Sequence, residues 1–221
     1  MSLKAELDAF RSSFMASLPA PIQEVMERAN IELTASSILQ RALKAGAEAP
    51  DFRLPNAHGR LVGLAELLEN GPVVLSFYRG AWCSYCCLEL RALQEALPTI
   101  SKAGATLVAV SPQTPSESLF TVVRNGLTFL LLSDAGSATA KAFGIAFELA
   151  EPLRPMYAQF GHALPDKNGD ESWILPLPAT YVIDTDGTIA LAHVDLDYRN
   201  RLEPAEIIRA LQALAKRRSS S

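Results

Sequence analysis

The sequence predicts an α/β fold in which a central mixed β-sheet is flanked by helices and preceded by a helical N-terminal extension. Three observations carry this. Short apolar runs alternate with segments of helical spacing from Val73 to Phe143, the pattern of parallel strands joined by right-handed helical crossovers. Two further apolar runs, Ala179 to Ile183 and Thr188 to Val194, are joined by Asp184-Thr185-Asp186-Gly187, a hairpin signal that adds antiparallel strands. Residues 1–46 show helical spacing and no strand signal.

The elements follow in order. Leu3, Leu7, Phe10 and Phe14 fall on one helical face, and Pro19 and Pro21 end that helix. Ile22, Val25, Met26 and Ala29 mark a second helix. Thr34 is placed to cap a third, with Ile38, Leu39, Ala42 and Leu43 apolar and Gly46 closing it. This extension either packs on its own domain or forms a dimer contact. From residue 47 the texture changes. Pro50 to Leu54 is extended, Asn56 to Arg60 is a turn, and Leu61 to Leu68 is a strand end running into a short helix. Val73 to Tyr78, bounded by Gly71-Pro72 and Gly80, reads as a buried strand. A helix from about Cys83 to Ala103, a strand over Thr106 to Val110, a helix over Ser116 to Asn125, a strand over Phe129 to Leu132 and a helix over Ser137 to Phe143 come next. Residues 147–175, rich in Pro, Gly and Asp, read as an irregular surface insertion. After the hairpin, Ile207, Ile208, Leu211 and Leu214 face inward from a helix over Pro204 to Ala215. The expected division is therefore an extension over 1–46 and a main domain over 47–221.

Composition narrows the function classes. The chain has 221 residues, 49% of them apolar, which allows a sizeable core. A net charge of −4 argues against a nucleic-acid surface. The one basic cluster, Lys216-Arg217-Arg218, suits a helix C-terminus. No secretory leader or membrane-length apolar run is visible, because Glu6 and Asp8 fall where a leader's apolar core would be. A cytoplasmic protein is the expectation.

All three cysteines lie within Trp82-Cys83-Ser84-Tyr85-Cys86-Cys87. Clustered thiols do not make a structural disulfide framework. A Cys-x-x-Cys at a strand-to-helix junction puts its first sulfur where unpaired N–H groups and the helix dipole favour a thiolate. The second is near enough for a short disulfide if Cys83 occupies the non-helical cap. Cys87 reads as a small buried hydrophobe. A metal site needs more ligands than one Cys-x-x-Cys and the scattered His58, His162 and His193 supply. No cofactor is expected.

This order of elements around Trp-Cys-x-x-Cys resembles the thioredoxin fold. Ala49-Pro50-Asp51-Phe52 with Leu54 and Gly59, then Phe77-Tyr78-Arg79-Gly80-Ala81-Trp82-Cys83-Ser84-Tyr85-Cys86 with Glu89-Leu90-Arg91, resemble the peroxiredoxin and alkyl-hydroperoxide-reductase-like (AhpC/TSA) family, in its Cys-x-x-Cys branch. Ser111-Pro112-Gln113, Leu132-Ser133-Asp134, Phe143-Gly144 and Tyr181-Val182-Ile183-Asp184 extend the match over about 46–215. The resemblance implies an antioxidant oxidoreductase that reduces hydroperoxides through a dithiol–disulfide cycle at Cys83 and Cys86. The alternatives are a thiol:disulfide oxidoreductase with little peroxidase activity and a non-enzymatic redox sensor or scaffold. It implies a hydroperoxide or disulfide substrate, a thioredoxin- or glutathione-type reductant, and a possible homodimer. Thioredoxin-like reasoning makes Cys83 the attacking sulfur and peroxiredoxin-like reasoning makes it Cys86; the helix end favours Cys83. Leu177-Pro178-Ala179-Thr180 matches the cis-proline position beside the reactive sulfur, so Pro178 is expected to be cis and, with Trp82, to shape the site.

The match departs from the family in two ways. With Cys86 aligned to the peroxide-reacting cysteine of the family, the usual peroxide-activating Thr and Arg positions are taken by Cys83 and Pro178, which leaves Arg79 and Arg91 as candidate cations. The buried acid that thioredoxins carry in the strand before the motif is replaced by Ser76. The segment Asp195, Asp197, Tyr198, Arg199, Arg201 also resembles that branch and reads as a loop tied by ion pairs.

Overall fold

A computed structural model describes residues 2–219. Three helices come first: α1 (Leu3–Ser17), α2 (Ala20–Ala35) and the single turn α3 (Ile38–Arg41). A small antiparallel pair, β1 (Arg53–Pro55) and β2 (Leu61–Gly63), leads into α4 (Leu64–Leu68). Then come β3 (Val73–Phe77), α5 (Ser84–Lys102), β4 (Thr106–Ser111), α6 (Pro115–Asn125), β5 (Leu130–Ser133) and α7 (Ala138–Ala142). An excursion of β6 (Ala146–Glu148), α8 (Arg154–Gln159), α9 (Leu164–Asn168) and β7 (Ile174–Pro176) precedes the hairpin β8 (Ala179–Ile183) and β9 (Ile189–Val194) and the last helix, α10 (Pro204–Ser219).

The main sheet runs β5-β4-β3-β8-β9. Parallel pairing joins β3, β4 and β5, and antiparallel pairing joins β8 to β3 and to β9. The predicted mixed α/β sheet is therefore present. Every residue of β3 and β8 is buried, as expected of strands covered on both faces. Alternation along β3 divides the core. Val73, Leu75 and Phe77 face a layer with Ile38, Leu64 and Phe143. Val74 faces the other layer, where α5, α10 and α1 contribute Leu90, Leu93, Leu211 and Leu7.

The extension lies on this framework. Ser2 caps α1, its hydroxyl accepting from the Ala5 amide. The apolar stripe of α1 buries Leu3 and Leu7 and sets the Phe10 ring edge-on to Tyr85 of α5, with centroids 4.9 Å apart. Thr34 does not cap a third helix. It is inside α2, where its hydroxyl donates back to the Asn30 carbonyl at 2.8 Å. Such back-bonding is the usual use of Thr within a helix. Ser37, with φ 58°, breaks the chain before α3.

The insertion also departs from expectation. Its prolines start helical turns instead of preventing them: Pro152, Pro155 and Pro165 occupy first-turn positions, where the missing N–H is not needed. The antiparallel β6–β7 ladder closes the excursion at its base. Leu149, Leu153, Leu164 and Leu175 form a satellite core shared with Val25, Met26 and Ala29 of α2. Among the described residues, no helix is long and apolar enough to cross a membrane.

Gly144 joins the extension to the sheet layer. Its φ is 72°, and a Cβ there would collide with the carbonyl of Arg41, while the neighbouring Phe143 carbonyl accepts from the Leu43 amide at 3.1 Å. Gly144→Ala is expected to lower unfolding free energy by about 1–3 kcal/mol, read as a lower urea midpoint at unchanged slope.

Candidate active site

The central strand β3 delivers the site. Beyond Phe77 the chain turns sharply, and Gly80 adopts φ 150°; a side chain there would strike the Trp82 indole. The turn ends at Cys83, the N-cap of α5, with φ −87° and ψ 106°. Its amide donates to the Gly80 carbonyl at 3.1 Å and its carbonyl accepts from the Cys87 amide at 3.0 Å. The Cys83 side chain therefore leaves from the non-helical cap, as the Cys-x-x-Cys spacing predicts, with Cys86 in the first turn below it.

Both thiols are free and buried, Cys83 at 4% and Cys86 at 0% exposure. Burial pushes the Cys83 thiol up. A hydrogen bond with Cys86 and the positive charges of Arg79 and Arg201 outweigh it and bring Cys83 down to about 6. Cys86 moves the opposite way, raised by burial, by its hydrogen bond with Cys83 and by the charge of that neighbour. Environments that push two neighbouring groups apart mark one as the anion and the other as its proton donor.

Arg79, at the end of the β3 turn, is buried among aromatic rings. Its guanidinium lies 4.2 Å from the Tyr198 ring centroid and 4.8 Å from that of Trp82. It also donates to the Tyr157 hydroxyl at 3.1 Å. Trp82 is covered from outside by the insertion, with Tyr157 edge-on at 5.5 Å and His162 stacked at 5.4 Å. Burial lowers the His162 pKa, favouring the neutral ring.

Arg201 is the second cation, and it belongs to the loop that reads from sequence as tied by ion pairs. Its neighbours pair locally. Arg199 pairs with Asp197 at 2.6 Å, and Arg11 approaches the same carboxylate at 3.6 Å. Arg201 turns inward. One guanidinium nitrogen donates to Cys86 Sγ at 3.4 Å and Nε donates to Glu89 Oε2 at 2.6 Å. The third donates to the Asn200 carbonyl at 2.8 Å and also to that of Tyr198. The Arg201 and Glu89 side chains are only 1% and 3% exposed. Burial pushes the Glu89 carboxyl up to about 7 despite Arg201 beside it. One sequence signal for this pair exists: Glu89 shares the buried stripe of α5 with Cys86, Leu90 and Leu93, a place where acids are rare unless paired.

The other candidates sort plainly. Pro178 is buried just before β8, whose first residue Ala179 pairs with Phe77 at the site end of β3. No peptide bond among the described residues is cis, so the Leu177–Pro178 bond is trans, correcting the cis expectation. The Leu177 amide donates to the Ile145 carbonyl at 2.8 Å, so a backbone anchor between β8 and the start of the insertion holds this proline in place. Arg91 is exposed on the outer side of α5. Cys87 Sγ donates to the Ala81 carbonyl at 3.2 Å. His58 is on an exposed turn, and His193 faces Thr180 across the β8–β9 ladder.

A cavity of about 460 Å³ opens behind Arg79. Met26, Ala29 and Leu33 of α2 wall one side, Leu149 and Leu153 of the insertion another, and Arg79 and Tyr198 its site end. Its volume and apolar walls are those of a small-molecule pocket.

A dithiol at the N-terminus of the helix following the central strand of a five-stranded mixed sheet defines a thiol-redox protein of thioredoxin-like fold. The AhpC/TSA family model matches residues 45–192, and the chain belongs to that family. It is similar to the chloroplastic peroxiredoxin Q of Sedum lineare, 28% identical over 186 residues, covering 82% of this chain and 84% of the relative. It is also similar, over a shorter span, to the thiol-disulfide oxidoreductase ResA of Geobacillus thermodenitrificans, 28% identical over 149 residues, covering 67% of this chain and 68% of the relative. In fold it resembles the crystal structure of peroxidoxin BcpB from Mycobacterium tuberculosis, with TM-score 0.62 and 24% identity, covering 78% of this chain and 98% of that one.

Proposed function

We propose that this chain is a thiol peroxidase that reduces organic hydroperoxides, with Cys83 as the attacking sulfur and Cys86 as the resolving one. The observation that carries it is the buried Cys83 sulfur at a helix N-cap, with Cys86 on the turn below it and the positive charges of Arg79 and Arg201 lowering its titration. Such surroundings favour the thiolate, the nucleophilic form. The Cys83 thiolate attacks the outer peroxide oxygen and the O–O bond breaks. The alkoxide leaves as an alcohol after taking a proton, and Cys83 becomes a sulfenic acid. The Cys86 sulfur then attacks the Cys83 sulfur, the S–O bond breaks, and water leaves. A thioredoxin- or glutathione-type thiol returns two electrons through a mixed disulfide, in keeping with a reducing, cytoplasmic setting.

Arg79 steadies the thiolate and the developing alkoxide, while Trp82 and Pro178 shape the space around the sulfur. The apolar cavity that ends at Arg79 suits the hydrocarbon body of an organic hydroperoxide better than hydrogen peroxide. Ala29→Phe, which fills that cavity, is expected to lower kcat/KM for cumene hydroperoxide about tenfold and to leave hydrogen peroxide within about twofold, since lost apolar contact is worth 1–3 kcal/mol. Steady-state assays with the two substrates check this.

Stopped-flow oxidation of the reduced protein tests the function itself. Thiol loss with an organic hydroperoxide should be orders of magnitude faster than with a free thiol; equality with a free thiol would sink the peroxidase reading. Exchange with protein disulfides is the second reading, favoured by the Cys-x-x-Cys spacing, and rapid insulin reduction by peroxide-inert protein would establish it.

A further inference from the structure

The resolving step poses a problem that the thiol pair does not solve. Cys86 must lose a proton at 0% exposure, and its thiol is already pushed up by burial and by Cys83. An additional uncompensated charge at that depth is costly. Ser76, the residue of the preceding strand, cannot accept the proton: its hydroxyl is buried without a hydrogen-bond partner, and a serine is no base near neutral pH.

The cluster behind Cys86 has the required composition. Arg201 is a two-pronged bridge, one prong on Cys86 Sγ at 3.4 Å and the other on Glu89 Oε2 at 2.6 Å. We propose that Glu89 is the positioning residue for the resolving thiol, acting through Arg201: when Cys86 gives up its proton, Glu89 takes one up. The two states, Glu89 carboxylate with Cys86 thiol and Glu89 carboxylic acid with Cys86 thiolate, carry the same net charge around one guanidinium. The resolving sulfur therefore ionises without adding charge to the interior. The inference rests on the dithiol cycle proposed above.

The balance is explicit. As the Sγ–Sγ bond forms, the S–O bond of the Cys83 sulfenic acid breaks and hydroxide leaves. The proton stored on Glu89 returns to that hydroxide, which departs as water. Cys86 is oxidised and Cys83 is reduced from the sulfenic level, so no outside oxidant is needed. In the reductive half, the Glu89 carboxylate first takes up the proton released by the reductant thiol; the resulting thiolate attacks Cys83 Sγ, Cys86 leaves as a thiolate against Arg201, and Glu89 passes that proton to it.

Two facts support the pair as more than a structural tie. A carboxyl held near 7 is poised to exchange a proton at neutral pH. A bridge linking α5 to the loop before α10 could be made by surface residues, yet this one is buried and ends on a sulfur. The charged and titratable groups facing the cluster are Cys83, Cys86 and Cys87 at the start of α5, Tyr78 and Arg79 just beyond β3, and His193 of β9, which feels the Arg201 charge.

The test reads Cys86 directly. In a Cys83→Ser, Cys87→Ser background the ultraviolet thiolate absorbance reports Cys86 alone. Glu89→Gln removes the competing anion, so the Cys86 titration is expected to fall by about one to two pH units, whereas Glu89→Asp keeps it near the parent. In protein with all three cysteines, the rate of disulfide closure is expected to rise through about pH 7, with that inflection lost in Glu89→Gln and retained in Glu89→Asp. An unmoved Cys86 titration and an unmoved closure profile in folded Glu89→Gln protein would overturn the proposal. If Gln prevents folding, Arg201→Lys keeps the charge and removes the fork; a displaced closure inflection supports the proposal and an unmoved one overturns it. The absorbance titration needs no peroxide, so failure of the peroxidase reading with a shifted Cys86 is distinguishable from failure of the relay.

Discussion

Cys83→Ser is expected to lower kcat/KM for hydroperoxides by on the order of 10³-fold or more, because the attacking group supplies the covalent step and removing such a group collapses turnover. Cys86→Ser should behave differently. It keeps the attacking sulfur, so one equivalent of hydroperoxide is consumed and oxidation halts at a sulfenic acid that a dimedone probe traps. The two variants together assign the roles. A dimedone adduct at Cys86 in Cys83→Ser protein, with single-turnover speed retained, would exchange them.

The second large effect falls on pH. Cys83 sits near 6 because burial, which raises it, is outweighed by the Cys86 hydrogen bond and then by Arg79 and Arg201. The thiolate is the reactive form, so the second-order rate with hydroperoxide should rise as pH increases through about 6 and then level. Arg79→Gln removes one of the two cations. The inflection should move up by about one unit, with roughly a fivefold loss at pH 6 that shrinks as pH increases. Stability follows the same sign. A thiol lowered in the folded state stabilises it as pH rises above about 6 and loses that contribution as pH falls back through about 6. Reduced protein should therefore gain stability over that range relative to Cys83→Ser. An Arg79→Gln profile superimposable on the parent would remove Arg79 from the account.

Much of this was legible because periodicity and spacing are local. Val73 to Phe77 declares a buried strand by its unbroken apolar run, and Asp186-Gly187 declares the hairpin. Cys83 and Cys86 declare the chemistry by standing at the strand-to-helix junction. What stayed hidden depends on distant chain. Nothing in Asp195 to Arg201 tells which arginine turns inward, because Arg199 and Arg201 differ only in whether a neighbouring Asp or the distant Glu89 satisfies them. Glu89 offered the better hint, an acid on an otherwise apolar stripe. The insertion differs from its sequence expectation for another reason. Proline disfavours helix interiors but suits first turns, and composition does not say which position each proline takes. The trans bond before Pro178 shows the same limit: a local match to a motif does not determine its isomer.

The position of Cys83 on the cap of α5 bears on how the protein fares when oxidant is abundant. A sulfenic acid has two fates: capture by the nearby thiol or a further, irreversible encounter with oxidant. Here the trapping sulfur is three residues away, on the first helical turn below the cap that carries Cys83. An intramolecular partner so placed acts at an effective molarity that dissolved peroxide does not approach. Kinetic partitioning should therefore favour the disulfide overwhelmingly. On the roles proposed for Cys83 and Cys86, such a molecule would suit sustained scavenging under oxidative load, since each turnover would close before a second oxygen arrives.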